Sequence, residues 1–372
     1  MKKLLLILGF VLSLSACGTD ATYRIEGKIS NLGEQTLYAV FESENGKLVD
    51  TVTCEKPGQF LIDQTQEGFH SVTLFFENKQ QWLTAYLEPN EKVTITGDIL
   101  YPTLIQVKGG RINDKLSAMR KEIAPLLKEQ ADLINLLNKN MLNKKESSSA
   151  VTDEMDISSR LSNVNHQISE QAHNYVQANP EELASVVLIE HYFANTDDTR
   201  RMDELLAVLS PKLKDNYLVK NLKEYSAKAK RTALGAEAPG FTVTNVYGSS
   251  ISLDSFPQKY VLLTFTAPWC DMCQTENLYL DDIVAKFPKD KLDILVISLD
   301  DNQKEVRSLL LKDSIRWNLV TDSAGQAAMM LNLYNVSALP RCFLIDEEGK
   351  ILLKTENGME IKKALETLMD KD

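Results

Sequence analysis

Histidine, cysteine and tryptophan are scarce in this chain of 372 residues, with four, five and three copies. A zinc site needs four ligands, and neither a second C-x-x-C nor a close pair of histidines accompanies Cys270 and Cys273. His70, His166, His173 and His191 all precede that region by a wide margin, so no metal is expected. Positive charge is also short: 41 Lys and Arg stand against 52 Asp and Glu, a formal net charge of −11. With neither a basic stripe nor a basic arm, a nucleic-acid partner is set aside. Low-complexity sequence is missing too, and 44% hydrophobic with 25% charged residues is the composition of a folded soluble chain. The length itself suggests two or three domains.

Beyond the first residues there are no long apolar runs. "MKKLLLILGFVLSLSACGTD" has two lysines, an apolar run too short to span a bilayer comfortably, and small residues ending at Cys17. Leu14, Ser15, Ala16 and Cys17 resemble a bacterial lipobox. That resemblance implies removal of residues 1–16, lipidation of the Cys17 thiol and a short lipidated N-terminus over 17–21. An ordinary secretory signal with an incidental cysteine is the alternative, and either one takes the chain out of the cytosol. Cleavage would remove Lys2 and Lys3, so acyl chains rather than charge would hold the protein to a membrane. The expected location is the cell envelope, facing the periplasm or another extracytoplasmic space.

From residue 22 to about 110, short β-like runs ("TYRIEGKI", "TLYAVF", "LVDTVT", "QFLI", "SVTLFF", "KVTITGD") are broken by turn residues, which predicts an antiparallel β domain. "ENGK" and "EKPGQ" are turn chemistry, with Gly46 and Gly58 available for positive φ. From 111 to 232 the spacing becomes helical, as in "LLKEQADLINLLNKNML", with "NKKESSSAVTDEMD" as an apparent break. "NPEELASVVLIEHYFAN" predicts a helix capped by Asn179 with Pro180 in its first turn. From 235 to 372 strands alternate with helices: "YVLLTFT", a helix from Cys270 to Phe287, "KLDILVIS", a helix near 302–312, "WNLVT", a helix from Ser323, the hairpin "FLIDEEGKILLK" and a last amphipathic helix. This pattern implies a mostly parallel sheet with an added hairpin, an α/β thioredoxin-like order.

Cys270 directly follows the strand "YVLLTFT" and falls at the start of the next helix, where free backbone N–H groups and the helix dipole favour a thiolate. Cys273, one turn on, is at disulfide range. A redox couple fits this spacing better than a metal site or a structural staple, whose short loop removes little chain entropy.

Residues 235–372 resemble the membrane-tethered, thioredoxin-like thiol-disulfide oxidoreductases of bacteria, the class that includes the cytochrome c maturation reductases. The similarity runs through "GAEAPGFTVTNVYGSSISLDSFPQKYVLLTFTAPWCDMC" and "ALPRCFLID". It implies that Cys270 is the nucleophile, Cys273 the resolving thiol of a redox disulfide, and Trp269 the residue before the couple. Glu276 matches a carboxylate that accepts the resolving thiol's proton, and its i, i+3 spacing from Cys273 suits that task. Pro340 matches the family's cis-proline, which makes Leu339 and Pro340 substrate contacts by backbone pairing. No cofactor beyond the two sulfurs is implied. Residues 22–231 resemble the β and helical extensions on lipoproteins of this group, without an activity carried over.

Several positions depart from the family pattern. Asp271 and Met272 separate the cysteines, and a carboxylate beside Cys270 disfavours its thiolate, which points to a reducing couple. Thr264 stands where thioredoxins carry a buried aspartate. Cys342 replaces a usual Thr or Ser; a side disulfide with the couple is the alternative to the reading of it, and of Cys54, as buried, inert thiols. A peroxidase would need a threonine three before the cysteine and a proline seven before; Ala267 and Leu263 occupy those places, and Thr266 lies one position too early. The leading expectation is an extracytoplasmic, lipid-anchored enzyme that reduces protein disulfides and is recharged by a membrane electron donor. Alternatives are a disulfide oxidase or isomerase, or a binding lipoprotein in which the thioredoxin-like part is an accessory.

Overall fold

The computed structural model describes residues 23–33, 36–44, 46–64, 69–76, 81–88, 90–142, 148–194, 198–300, 302 and 317–369. Cys17 and the expected leader lie outside these, as does nearly all of the helix expected near 302–312. Among the described residues, no helix is long and apolar enough to cross a membrane. The chain divides into two compact units, with the division at Ser185 and Val186.

In the first unit, two four-stranded sheets share one apolar core. One sheet orders β4 (Gln59–Gln64), β1 (Tyr23–Ser30), β7 (Lys92–Asp98) and β8 (Gln106–Lys108); the other orders β3 (Gly46–Thr53), β2 (Thr36–Ser43), β5 (Phe69–Phe76) and β6 (Gln81–Tyr86). Alternation along each strand sends Ile25, Leu37, Phe41, Leu74, Phe76 and Ile95 inward, which is why one face of each sheet is apolar. One pairing departs from the antiparallel rule, because β1 runs parallel to β7. Gly58 has φ +73°, and a Cβ there would lie 2.0 Å from the Ile29 carbonyl oxygen, so this turn requires glycine.

The first helix, α1 (Arg111–Glu122), is tied to the sandwich by buried side chains. The Asn113 amide accepts from Tyr86 N at 2.8 Å and donates to Tyr86 O at 2.7 Å, while Ser117 Oγ donates to Val107 O at 2.6 Å. These bonds satisfy backbone groups of β6 and β8 that would otherwise be buried without partners. Then come α2 (Ala124–Leu142) and α3 (Ser148–Ala178). The stretch expected as a break, 143–156, is helical from Ser148 onward, and its first five residues lie outside the described ones. The expected cap at Asn179 is corrected: α4 spans Leu183–Phe193, and Asn179 closes α3 instead, its side chain donating to Tyr175 O at 2.9 Å. A helix that runs on to Ala178 leaves Asn179 no room to open the next one.

In the second unit, α5 (Arg200–Val208) and α6 (Tyr217–Arg231) precede the hairpin of β9 (Thr242–Thr244) and β10 (Ser250–Ser252). A five-stranded sheet follows, in the order β13 (Trp317–Val320), β12 (Leu292–Ser298), β11 (Tyr260–Thr266), β14 (Arg341–Ile345), β15 (Ile351–Thr355). β11, β12 and β13 are parallel, and β14 and β15 add on antiparallel. One face packs Leu262, Ile294 and Val296 against α7 (Asp271–Lys286) and α9 (Gly358–Met369) through Leu280, Ile283, Phe287 and Leu365. The other packs Leu263, Phe265 and Ile297 against the hairpin and α8 (Gln326–Leu333), whose helix begins after a short turn at Ser323–Gly325. This is the thioredoxin-like fold. With both faces covered, β12 is buried at all its positions, as its near-continuous aliphatic sequence requires.

Candidate functional site

β11 ends at Thr266, and the chain turns through Ala267, Pro268 and Trp269 into α7. Cys270 caps that helix: its Sγ accepts from Cys273 N at 3.2 Å, and its carbonyl accepts from Gln274 N at 3.3 Å. A sulfur at this position receives a backbone N–H that has no partner within the helix and the positive end of the helix dipole. Cys270 and Cys273 are joined in a disulfide with Cα atoms 5.2 Å apart. Cys270 is 9% exposed and Cys273 only 1%, so a reactant meets the first sulfur and not the second.

The two cysteines and Ala267 form a small cluster against which Leu299 and Leu339 pack. Beside it opens a groove of about 450 Å³, lined by Trp269, Cys270 and Met272 on one side and by Leu299, Leu331 and Leu339 among others opposite. Trp269 is 66% exposed and Met272 is exposed as well, an unusual display for large apolar side chains. The Leu339–Pro340 peptide bond is cis, and Leu339 lines the groove. The structure thus brings together Trp269, Cys270, Cys273 and Leu339 of the residues singled out in the sequence. Glu276 lies on α7, but its side chain is outside the described residues.

The remaining thiols are elsewhere. Cys54 is buried in the core of the sandwich, and Cys342 belongs to the core between the sheet and α7, a different cluster from that of the disulfide. Thr264 pairs across the strands with Cys342, with Oγ1 and Sγ 3.1 Å apart, so where thioredoxins carry an acid this chain has a neutral hydroxyl–thiol contact. Tyr334 anchors the opposite face: its hydroxyl donates to Pro239 O at 2.8 Å, and burial pushes it well above its ordinary value of 10. Leu299, Leu331 and Met272 were not foreseen as lining residues, since three distant segments meet only through the sheet. The apolar character of Met272 between the cysteines was the one local signal.

The AhpC/TSA family matches residues 234–354, and a domain of unknown function (DUF4369) matches residues 23–116. The thiol-disulfide oxidoreductase ResA of Bacillus cereus is 29% identical over 147 residues, which cover 40% of this chain and 83% of that protein. ResA of Geobacillus kaustophilus is 30% identical over 139 residues, 37% of this chain and 78% of the relative. The thioredoxin domain of a thiol-disulfide oxidoreductase from Bacteroides vulgatus aligns at 29% identity over 37% of this chain and 97% of that one, with a TM-score of 0.34. The chain is an oxidoreductase, and it belongs to the thioredoxin-like thiol-disulfide oxidoreductases related to ResA.

Proposed function

We propose that this enzyme reduces protein disulfides outside the cytosol while anchored through lipid on Cys17. The observation that carries the chemistry is a Cys270–Cys273 disulfide at a helix N-terminus, with the first sulfur facing an apolar groove and the second enclosed. In the reduced enzyme the Cys270 thiolate attacks one sulfur of a substrate disulfide, and the other substrate sulfur leaves as a thiolate. Cys273 gives its proton to the Glu276 carboxylate and attacks Cys270 Sγ. The enzyme disulfide forms and the second substrate thiol is released. Trp269, Leu339 and Pro340 hold the substrate segment beside the couple.

One feature favours the reducing direction. Asp271 adjoins Cys270, and a negative charge there destabilises the thiolate that makes strong oxidants. No acid stands at Thr264 to share the site, which leaves Glu276 as the proton acceptor. The cycle then requires two electrons from a membrane donor.

The test is a redox titration of the full chain carrying Cys17→Ser in graded dithiol/disulfide buffers, with thiols trapped and counted at Cys270 and Cys273. A two-electron transition near or below about −250 mV supports a reductase, and one between about −180 and −120 mV makes it an isomerase or oxidant. Absence of a reversible couple ends this reading.

A further inference from the structure

Two buried hydroxyls end the strands that lead to the disulfide. Thr266 is the last residue of β11 and Ser298 the last of β12, and they are register partners across the parallel pair. Thr266 is 2% exposed and Ser298 0%. Among the described residues, neither Thr266 Oγ1 nor Ser298 Oγ has a hydrogen-bond partner. Alternation puts both on the sheet face of Leu262, Ile294 and Val296, which packs against α7. The residues that follow them, Ala267 and Leu299, pack with Cys270 and Cys273.

A buried hydroxyl left without a partner is costly, and an alanine or valine here would avoid that cost. Two such groups at register-paired strand ends, each followed by a residue that packs with the redox disulfide, point to a partner that exists only in another state of the site. Cys273 supplies it. In the disulfide its sulfur is uncharged, but in the resolving step it carries a full negative charge in a place almost closed to water. Cys270 has the helix N-terminus to stabilise its thiolate. That field fades within the first turn, so Cys273 needs other donors.

We propose that Thr266 and Ser298 are positioning residues for the resolving cysteine, their hydroxyls donating hydrogen bonds, directly or through one water, to the Cys273 thiolate. This rests on the redox reading of the cysteine pair. With Cys270 in a mixed disulfide, Cys273 gives its proton to the Glu276 carboxylate and its sulfur becomes a thiolate held by the two O–H groups. That thiolate attacks Cys270 Sγ. The Cys270–Cys273 bond forms as the bond from Cys270 to the substrate sulfur breaks, and the substrate sulfur leaves with the electron pair. Toward this end of the surrounding elements stand Asp271 on α7, Asp300 beyond β12, and Cys342 with the Arg341–Glu356 ion pair on β14 and after β15, while Tyr260, Asp293 with its Lys259 ion pair, Tyr279, Asp282 and Lys286 lie farther along β11, β12 and α7.

The experiment uses the full chain with Cys17→Ser, reduced and mixed rapidly with excess dithiobis(nitrobenzoate). Attack by Cys270 releases a first coloured thiolate at a rate set by reagent concentration, and attack by Cys273 releases a second at a rate independent of it. A chain with both cysteines changed to serine gives the background from Cys54 and Cys342. Together, Thr266→Val and Ser298→Ala are expected to slow the second release about tenfold or more and move its pH profile upward, leaving the first within about twofold. Thr266→Ser, which keeps a hydroxyl, is expected to behave like the unsubstituted chain. If Thr266→Val does not fold, Ser298→Ala alone must still slow the second release, by about threefold. An unchanged second release, or equal slowing of both, overturns the proposal. If the unsubstituted chain releases only one equivalent, the redox reading itself fails and takes this inference with it.

Discussion

The β-sandwich of residues 23–108 and the five-stranded sheet of residues 260–355 use the same aliphatic and aromatic residue types, yet only the second carries the cysteine couple. In the sandwich each sheet has an apolar core face and an outer face, with Tyr38 and Trp82 exposed on one sheet and Leu61 on the other, and β1 alternates buried with more open positions along its length. In the thioredoxin-like sheet β12 is buried throughout and β11 everywhere but its first residue. Helices on both faces push the polar chemistry to the strand ends. There lie a helix start with two nearly buried sulfurs and, at the ends of β11 and β12, two buried hydroxyls. A sheet wet on one face has the same framework but no comparable place to shield a thiolate from water.

The largest expected effect separates the two regions outright. Cys270→Ser should abolish reduction of a protein disulfide, by at least about a thousandfold, while unfolding of the sandwich, followed by Trp82 fluorescence, stays where it was. Cys273→Ser should stall as a mixed disulfide, visible as a mass increase.

Matched core truncations come next. Leu74→Ala in the sandwich and Leu295→Ala in the thioredoxin-like sheet should each cost about 2–5 kcal/mol in denaturant unfolding. Only the second should change the potential of the couple. Equal changes of potential would show that the sandwich shapes the site after all.

A smaller effect is expected at Tyr334→Phe, which keeps the aromatic packing on Phe265 and Phe343 but removes the bond to Pro239 O. A loss of about 1 kcal/mol in unfolding, with the groove chemistry unaltered, would place this residue with the scaffold.

The smallest effect concerns acid. Burial pushes the Asp203 carboxyl up, but bonds from Lys230, Ser226 and Thr199 outweigh it and hold the group below its ordinary value of 3.8. Its contribution is therefore complete above pH 3.8 and lost as pH falls below that through the lowered folded value. Asp203→Asn should flatten the acid limb of the stability curve by less than about 1 kcal/mol, since the carboxylate is partly exposed.

Much of the C-terminal fold was legible because its signals are local. "YVLLTFT" and "KLDILVIS" are too uniformly apolar for strands with a wet face, and the C-x-x-C after the first of them announces a helix start. The sandwich strands were legible for a different reason, the period-two alternation. Register was not. That β1 would lie parallel to β7 depends on which edges meet across the core, and no residue in "TYRIEGKI" encodes it. Asn179 misled because a cap residue serves either end of a helix, and the length of α3 decides which.

By itself the sequence determined the cysteine pair, its place at a helix N-terminus and the alternation of strands with helices, because each depends on residues within a turn or two of one another. The groove, the enclosure of Cys273 and the hydroxyls of Thr266 and Ser298, without partners among the described residues, were decided only by tertiary structure. Leu299, Leu331 and Leu339 are apolar residues among many until parallel pairing brings their strand ends and loops beside one disulfide. Burial and hydrogen-bond satisfaction are properties of that assembly, and no stretch of sequence carries them alone.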